Sequence, residues 1–78
     1  MSFGKNLKRL RIERNLSQAD IAQAVGVYQS MISAVETGER RPSLQLAFSI
    51  ASFLGVTLDE LNQEQGHEPV APVADAAA

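Results

Sequence analysis

A glycine in the middle of a helical pattern constrains this chain more than any other feature. From Ser17 to Val25 the apolar residues repeat with helical spacing; the repeat stops at Gly26 and then resumes out of phase. Glycine adopts a positive φ at little steric cost and is common just after the last residue of a helix, where it lets the chain turn sharply. We therefore predict two short helices joined by a tight turn at Gly26, the second running from about Tyr28 to Glu36.

Three more helices are predicted around this pair. The first helix has an apolar stripe at Phe3, Leu7 and Leu10, spaced as on one helical face. The fourth helix begins after Ser43 and ends before Gly55, and the capping pattern T-L-D-E opens a short fifth helix. The sequence thus predicts an all-α fold of five short helices and no strand.

Charge is distributed unevenly along the 78 residues, although the net charge is only −2. Residues 1–56 hold all seven basic side chains, whereas residues 57–78 hold five of the nine acidic ones and no basic one. This asymmetry is compatible with nucleic-acid binding, but a charged face is in most proteins simply solvated surface. We predict a folded domain over residues 1–61 and a disordered acidic tail over residues 62–78, where no periodic apolar face is visible.

The composition argues against several classes of function. The chain has no cysteine, and its single histidine, His67, has no second histidine or cysteine with which to share a metal. No apolar run is long enough to span a membrane, and the N-terminus lacks a signal-peptide profile. Paired carboxylates, a nucleophile with its base, and a glycine-rich phosphate loop are not visible either. We therefore expect a cytoplasmic protein that is not an enzyme and needs no metal or cofactor.

The residues around Gly26 meet the requirements of a helix-turn-helix, whose second helix enters the major groove of DNA. Ala22 is small where the two helices must approach each other. Five apolar side chains are expected to anchor both helices to the core: Ile21, Val25, Val27, Ile32 and Val35. Four side chains then remain outward on the second helix: Gln29, Ser30, Ser33 and Ala34. These are uncharged and small or carry an amide, which suits contact with base edges.

Together with its flanking segments, this motif resembles the phage-repressor and Cro-like (XRE) family of helix-turn-helix DNA-binding domains. The matching segments are LKRLR, NLSQADIA, GVYQSMIS, VETGERRPS and IASFLGVTLDEL, in one register from about Leu7 to Leu61. The resemblance implies a compact five-helix, lambda-repressor-like fold. It also implies a sequence-specific, repressor-like transcriptional regulator that binds half-sites of double-stranded DNA through the major groove as a homodimer.

The resemblance also implies roles for individual residues. The start of the third helix would enter the major groove, so that Gln29 and Ser30 read bases first, and Ser33 and Ala34 second. The implied phosphate contacts are Ser17, Gln18, Tyr28, Arg40 and Arg41. The chain departs from the family pattern at Tyr28, where a small capping residue is usual, and at Ala34, which offers only a methyl group to thymine.

Further structural roles follow from the same resemblance. Gln18 is expected to brace Gln29, and Arg11 is expected to pair with Glu36 between the first and third helices, orienting the recognition helix without contacting DNA. Three apolar residues near the end of the domain are the candidate dimer contacts, chosen by position and apolarity: Phe53, Leu58 and Leu61.

A function of a different class stays open at this point. The chain could be an antitoxin or adaptor that acts mainly through a protein partner, with the acidic tail as its binding segment. A toxin-sized partner encoded next to the gene would favour that alternative, as would failure to shift DNA while a protein co-purifies.

Overall fold

The computed structural model describes residues 2–63, which form five α-helices and no strand. The helices are α1 (Ser2–Glu13), α2 (Gln18–Val25), α3 (Gln29–Thr37), α4 (Leu44–Leu54) and α5 (Leu58–Asn62). The all-α prediction is therefore confirmed. Among the described residues, none of the helices has both the length and the apolar character that a membrane span requires.

Local capping interactions begin three of these helices. The Ser17 hydroxyl accepts a hydrogen bond from the Asp20 backbone N–H at 2.9 Å, and the Asp20 carboxylate accepts one from the Ser17 N–H at 2.8 Å. The Ser43 hydroxyl caps α4 in the same way, and Thr57 and Glu60 form a second reciprocal pair at the start of α5. Each cap satisfies N–H groups that have no partner within their own helix.

The turn between α2 and α3 has the predicted geometry. Gly26 adopts a left-handed conformation with φ of 79°, and its N–H donates to the carbonyl of Ala22 at 2.8 Å. Helix α3 begins at Gln29, one residue later than predicted, because Tyr28 has an extended backbone and lies at the N-cap position. The helix continues to Thr37, one residue beyond the predicted end.

The core lies between the helices and receives apolar side chains from all five. Its members are Phe3, Leu7, Ile21, Ala22, Ile32, Val35, Ala47, Ile50, Ala51, Leu54 and Leu61. Of the five predicted anchors of α2 and α3, three are fully buried, and Val25 and Val27 are half-buried against the same cluster. Helices α2 and α3 are therefore both attached to the core.

The predicted dimer contact at Leu61 is wrong. Leu61 has no exposed surface, because α5 packs this side chain into the core of its own chain. Leu58 is half-buried, and Phe53 keeps 46% of its surface exposed. Helix α4 also turns Leu44 and Phe48 outward, with 69% and 56% of their surfaces exposed. The apolar residues available to a partner therefore lie mainly on α4.

Helix α1 approaches α3 at a glycine that the sequence pattern does not indicate as important. A Cβ atom on Gly4 would overlap the carbonyl oxygen of Val35 and would lie 2.8 Å from that of Glu36. A side chain at this position would therefore force the two helices apart. The last turn of α3 is thus held directly against the first turn of α1.

A buried amide connects α1 to α5. Asn6 is 1% exposed, and its Nδ2 donates to the carbonyls of Leu61 at 2.7 Å and Gln63 at 2.6 Å. These bonds satisfy carbonyl groups at the end of α5 that have no partner within the helix. The described packing thus extends to residue 63, and residues 64–78 of the predicted tail lie outside the described residues.

Candidate nucleic-acid interface

The first turn of α3 presents two polar side chains to solvent. Gln29 and Ser30 are both exposed, whereas Ile32 and Val35 on the opposite face of the helix are buried. Within residues 2–63 neither polar side chain makes a hydrogen bond. The glutamine amide offers both donors and an acceptor, and the serine hydroxyl can act as either. The side chains of this turn are therefore free to form hydrogen bonds with an external partner.

The next two predicted base contacts are less accessible. Ser33 and Ala34 are half-buried rather than fully outward. The Ala34 carbonyl accepts hydrogen bonds from the N–H groups of Glu39 at 2.9 Å and Arg40 at 3.2 Å, and from the Thr37 hydroxyl at 3.1 Å. Ala34 thereby supports the turn that follows α3. The freely exposed polar surface of α3 is consequently concentrated at its first turn.

Tyr28 immediately precedes this turn and is 85% exposed. It lies at the N-cap position of α3, yet its side chain makes no capping hydrogen bond. The ring borders a shallow recess with Val27 and Met31, beside the turn at Gly26. Because the phenol hydroxyl is not used for capping, it is available to an external acceptor such as a phosphate oxygen.

The start of α2 is a second place with free backbone donors. The capping pair uses the N–H groups of Ser17 and Asp20, which leaves those of Gln18 and Ala19 without an acceptor in the helix. The hydrogen bonds from the Ser17 backbone and side chain lower the pKa of the Asp20 carboxyl. Because the Ser17 hydroxyl is occupied by the cap, the free donors at this end are main-chain groups.

The carboxylate of Glu36, near the end of α3, accepts hydrogen bonds from side chains of α1 and α2. The Nε atom of Arg11 donates to Glu36 Oε2 at 2.6 Å, and a terminal nitrogen of the same guanidinium donates to Oε1 at 3.1 Å. The Arg11 side chain is 13% exposed and the Glu36 side chain 3%. The other terminal nitrogen donates to the carbonyl of Leu16 at 2.9 Å. The structure thus brings together the two residues whose pairing the family resemblance implied.

This ion pair is charge-assisted on both sides, which makes its hydrogen bonds stronger than neutral ones. The hydrogen bonds to Glu36 raise the pKa of Arg11 above its already high ordinary value. The arginine therefore stays ionised and fixes the carboxylate against α1.

Gln18 donates to the same carboxylate. Its Nε2 lies 3.0 Å from Glu36 Oε1, and the side chain belongs to a half-buried residue at the start of α2. Within residues 2–63 no hydrogen bond joins Gln18 to Gln29. The Gln18 amide is therefore bonded to Glu36 and not to Gln29, which it was expected to brace, since a carboxylate held in an ion pair is a strong hydrogen-bond acceptor.

The two arginines of the loop after α3 have different surroundings. Arg40 and Arg41 are both exposed, and neither takes part in an ion pair among residues 2–63. The Arg40 backbone N–H is bonded to α3 through the Ala34 carbonyl. Arg41 borders a groove that is also lined by Phe3 and Leu44. Both positive charges are available to an external anion.

Residues 7–61, which include α2, the turn and α3, match the helix-turn-helix family. An uncharacterized HTH-type transcriptional regulator of Methanocaldococcus jannaschii is 46% identical over 55 residues, which cover 70% of this chain and 83% of that protein. The cryptic phage CTXphi transcriptional repressor RstR of Vibrio cholerae is 36% identical over 59 residues, which cover 76% of this chain. That stretch is 53% of the repressor, so the similarity spans about half of its length.

A solved structure shares the arrangement of the helices. The restriction-modification controller protein C.AhdI from Aeromonas hydrophila matches with a TM-score of 0.73 and 35% sequence identity. The match covers 77% of this chain and 91% of that one. The similarity therefore extends over nearly the whole length of the controller protein.

Proposed function

This chain belongs to the helix-turn-helix family, and on that premise we propose that it is a DNA-binding transcriptional regulator that reads operator half-sites through the major groove. The observation that carries the proposal is the first turn of α3, where Gln29 and Ser30 are exposed on a helix whose opposite face is buried. A helix anchored in this way presents its side chains to a groove in one orientation. The relatives described as transcriptional regulators and repressors support this function.

The proposed base contacts follow from the chemistry of the α3 side chains. Gln29 can bond the N6 and N7 atoms of adenine with two hydrogen bonds, and Ser30 can donate to or accept from several base edges. Ser33 and Ala34 are secondary contacts because they are half-buried, and Ala34 offers a methyl group to thymine. Discrimination between sequences is therefore expected to depend mainly on Gln29 and Ser30.

Four proposed phosphate contacts surround this turn: Gln18, Tyr28, Arg40 and Arg41. Ser17, which the family resemblance also implied, contributes only indirectly, because its N–H and its hydroxyl are both used in the cap of α2. The capping at the start of α2 favours the backbone N–H of Gln18 as a phosphate donor there, since helix N-termini bind anions well. The two arginines add positive charge and the Tyr28 hydroxyl adds a neutral donor. Such contacts fix the position of the domain on the duplex without reading its sequence.

A repressor-like homodimer completes the proposal. One short helix turn contacts few bases, and two-fold symmetric domains of this kind bind half-sites about one DNA turn apart. The apolar side chains that α4 leaves exposed could contribute to the contact between copies: Leu44, Phe48 and Phe53. Leu58 is a further candidate because it is half-buried at the start of α5.

The alternative function is an antitoxin or adaptor protein that acts through a different protein. The same exposed residues of α4 favour it, since apolar surface of this kind suits any protein partner. In that case DNA binding would be weak or absent, and a partner would cover α4.

Binding-site selection with the purified chain on a random duplex library tests the proposal. We expect enrichment of two inverted half-sites whose centres lie roughly 10 base pairs apart. Failure to enrich any sequence, together with a co-purifying protein, would favour the adaptor function. A cytoplasmic location and the lack of enzymatic activity also stay predictions.

A further inference from the structure

We propose that Gln18 is a positioning residue for the base-reading helix and that its side chain acts through Glu36. The inference rests on the proposed function and concerns how α3 is held while it reads DNA. It starts from one hydrogen bond, between Gln18 Nε2 and Glu36 Oε1 at 3.0 Å. Within residues 2–63 this is the only side-chain hydrogen bond that joins α2 to α3.

The acceptor of this bond is itself firmly held. Arg11 donates to both oxygens of the Glu36 carboxylate, and the residue as a whole is 8% exposed. Gln18 therefore connects α2 to a group whose position is already fixed against α1. A neutral amide bonded to a buried carboxylate is directed by that charge rather than by solvent.

Gln18 belongs to the proposed phosphate contact through its main chain and is bonded to the base-reading helix through its side chain. Its main chain forms the start of α2, whose N–H groups without an acceptor in the helix are the proposed phosphate donors. Its side chain holds Glu36, which lies about two helical turns after Gln29 on the base-reading helix. The residue therefore links the place where the domain rests on the DNA backbone to the orientation of α3.

This arrangement predicts a particular defect when the amide is lost. The main-chain donors at the start of α2 stay in place, so attachment to phosphate is retained. The angle of α3 relative to α2 becomes less well defined, so the contacts of Gln29 with base edges weaken. Binding to the preferred site should therefore suffer more than binding to random DNA.

The test compares Gln18→Met with Gln23→Met. Methionine has nearly the length of glutamine but cannot donate a hydrogen bond. Gln23 is an exposed residue of α2 that makes no hydrogen bond within residues 2–63, so its substitution controls for the change in helix composition. Dissociation constants are measured on the selected site and on a random duplex, at one salt concentration and well below the melting temperature of the least stable variant.

We expect Gln18→Met to reduce the ratio of random to specific dissociation constants by roughly threefold to tenfold, as residues coupled in one hydrogen-bond network would. Its affinity for random DNA should change by less than about twofold, which is the size of effect expected when an uncharged surface residue is substituted. Gln23→Met should leave both constants unchanged. An equal loss on both duplexes would overturn the inference, because it would place the Gln18 side chain on a phosphate. A lower melting temperature with unchanged binding would also overturn it and leave only a structural role.

The Gln18 side-chain amide of the wild-type protein supplies a second measurement that does not depend on a variant. Its hydrogen exchange, followed by NMR, should be slowed to the same extent in the free protein and in the DNA complex. Loss of this protection on DNA binding would show that the amide leaves Glu36, which would overturn the inference. If the wild type binds no duplex at all, the proposed function fails, and the inference fails with it.

Discussion

The first turn of α1 touches the last turn of α3 where Gly4 faces the carbonyl of Glu36. A Cβ on this glycine would lie 2.8 Å from the carbonyl oxygen of Glu36, closer than real Cβ atoms approach an oxygen. The side chain of the same glutamate is bonded to Arg11 and Gln18. The main chain and the side chain of Glu36 are therefore both held by neighbouring helices.

We expect Gly4→Ala to destabilise the protein although alanine is the better helix former. Replacing glycine within a helix gains up to about 1 kcal/mol from helix propensity. Forcing a methyl group into this contact should cost about 1–3 kcal/mol, because the opposing atoms belong to backbone. Thermal unfolding measures the stability of Gly4→Ala against that of the wild type. Lys5→Ala, at an exposed position of the same helix, is the control for helix propensity. A variant as stable as the wild type would show that α1 can move away from α3.

Arg11 and Glu36 should behave as one unit in a double-mutant cycle. Removing either partner leaves a largely buried charge without its counterion, so each alanine substitution should lower the free energy of unfolding by about 3–5 kcal/mol. The double variant should lose less than the two single variants together. The exposed pair of Arg9 and Glu13 is the control, and its coupling should not exceed about 0.5 kcal/mol. Additive losses at Arg11 and Glu36 would contradict the prediction.

Gln29→Ala should weaken binding to the preferred site by about 1–3 kcal/mol and change binding to random DNA little. The reason is that base contacts discriminate between sequences whereas phosphate contacts do not. Because Gln29 is the first residue of α3, the melting temperature of the variant must be compared with that of the wild type. With folding intact, an equal loss on both duplexes would move the base-reading surface to Ser33 and Ala34.

Arg41→Ala should weaken specific and random binding about equally. Removing one phosphate contact should also reduce the slope of log affinity against log salt concentration by about one unit. Arg40→Ala is the matched variant, since both side chains are exposed in the same loop. An unchanged slope for Arg41→Ala alone would indicate that Arg41 serves the groove it shares with Phe3 and Leu44 rather than DNA.

Two truncations should distinguish the contribution of the Asn6 hydrogen bonds from that of residues 64–78. Removing residues 64–78 leaves both strong acceptors of Asn6 in place, so the melting temperature should change little. DNA affinity should stay equal or rise, because the removed segment carries acidic residues that DNA repels. Truncation after Leu61 also removes the Gln63 carbonyl and should lower the melting temperature. A tenfold loss of DNA affinity in the variant that lacks only residues 64–78 would show that these residues contribute to binding.

Helix boundaries were predictable because their signals are local. The bonds between Ser17 and Asp20 span three residues, as do those between Thr57 and Glu60, so a short window of sequence contains both partners. The turn at Gly26 is equally local, since it depends on the φ angle of one residue. Helix α3 differed by one residue at each end. Its start differed because Tyr28 lies at the N-cap without the side-chain bond that usually marks such a position, and its end differed because the helix continues to Thr37.

Interactions between distant residues were less predictable. Asn6 and Leu61 are 55 positions apart, and no periodicity relates an amide in α1 to a carbonyl in α5. The same packing explains the error at Leu61, whose burial depends on where α5 meets α1 and not on its apolar character. Gln18 is half-buried, and its hydrogen-bond partner, Glu36, is brought within reach only by the position of α3. The pairing of Arg11 with Glu36 came from the family resemblance rather than from spacing.

The exposed first turn of α3 also bears on how a chain like this can change during evolution. Gln29 and Ser30 make no hydrogen bond within residues 2–63 and lie outside the core, so substitutions there leave the fold nearly as stable as before. If these two residues read bases, as proposed, operator preference can drift at both positions without compensating changes elsewhere. Such a scaffold can diverge into regulators of different genes while its helices keep the same packing.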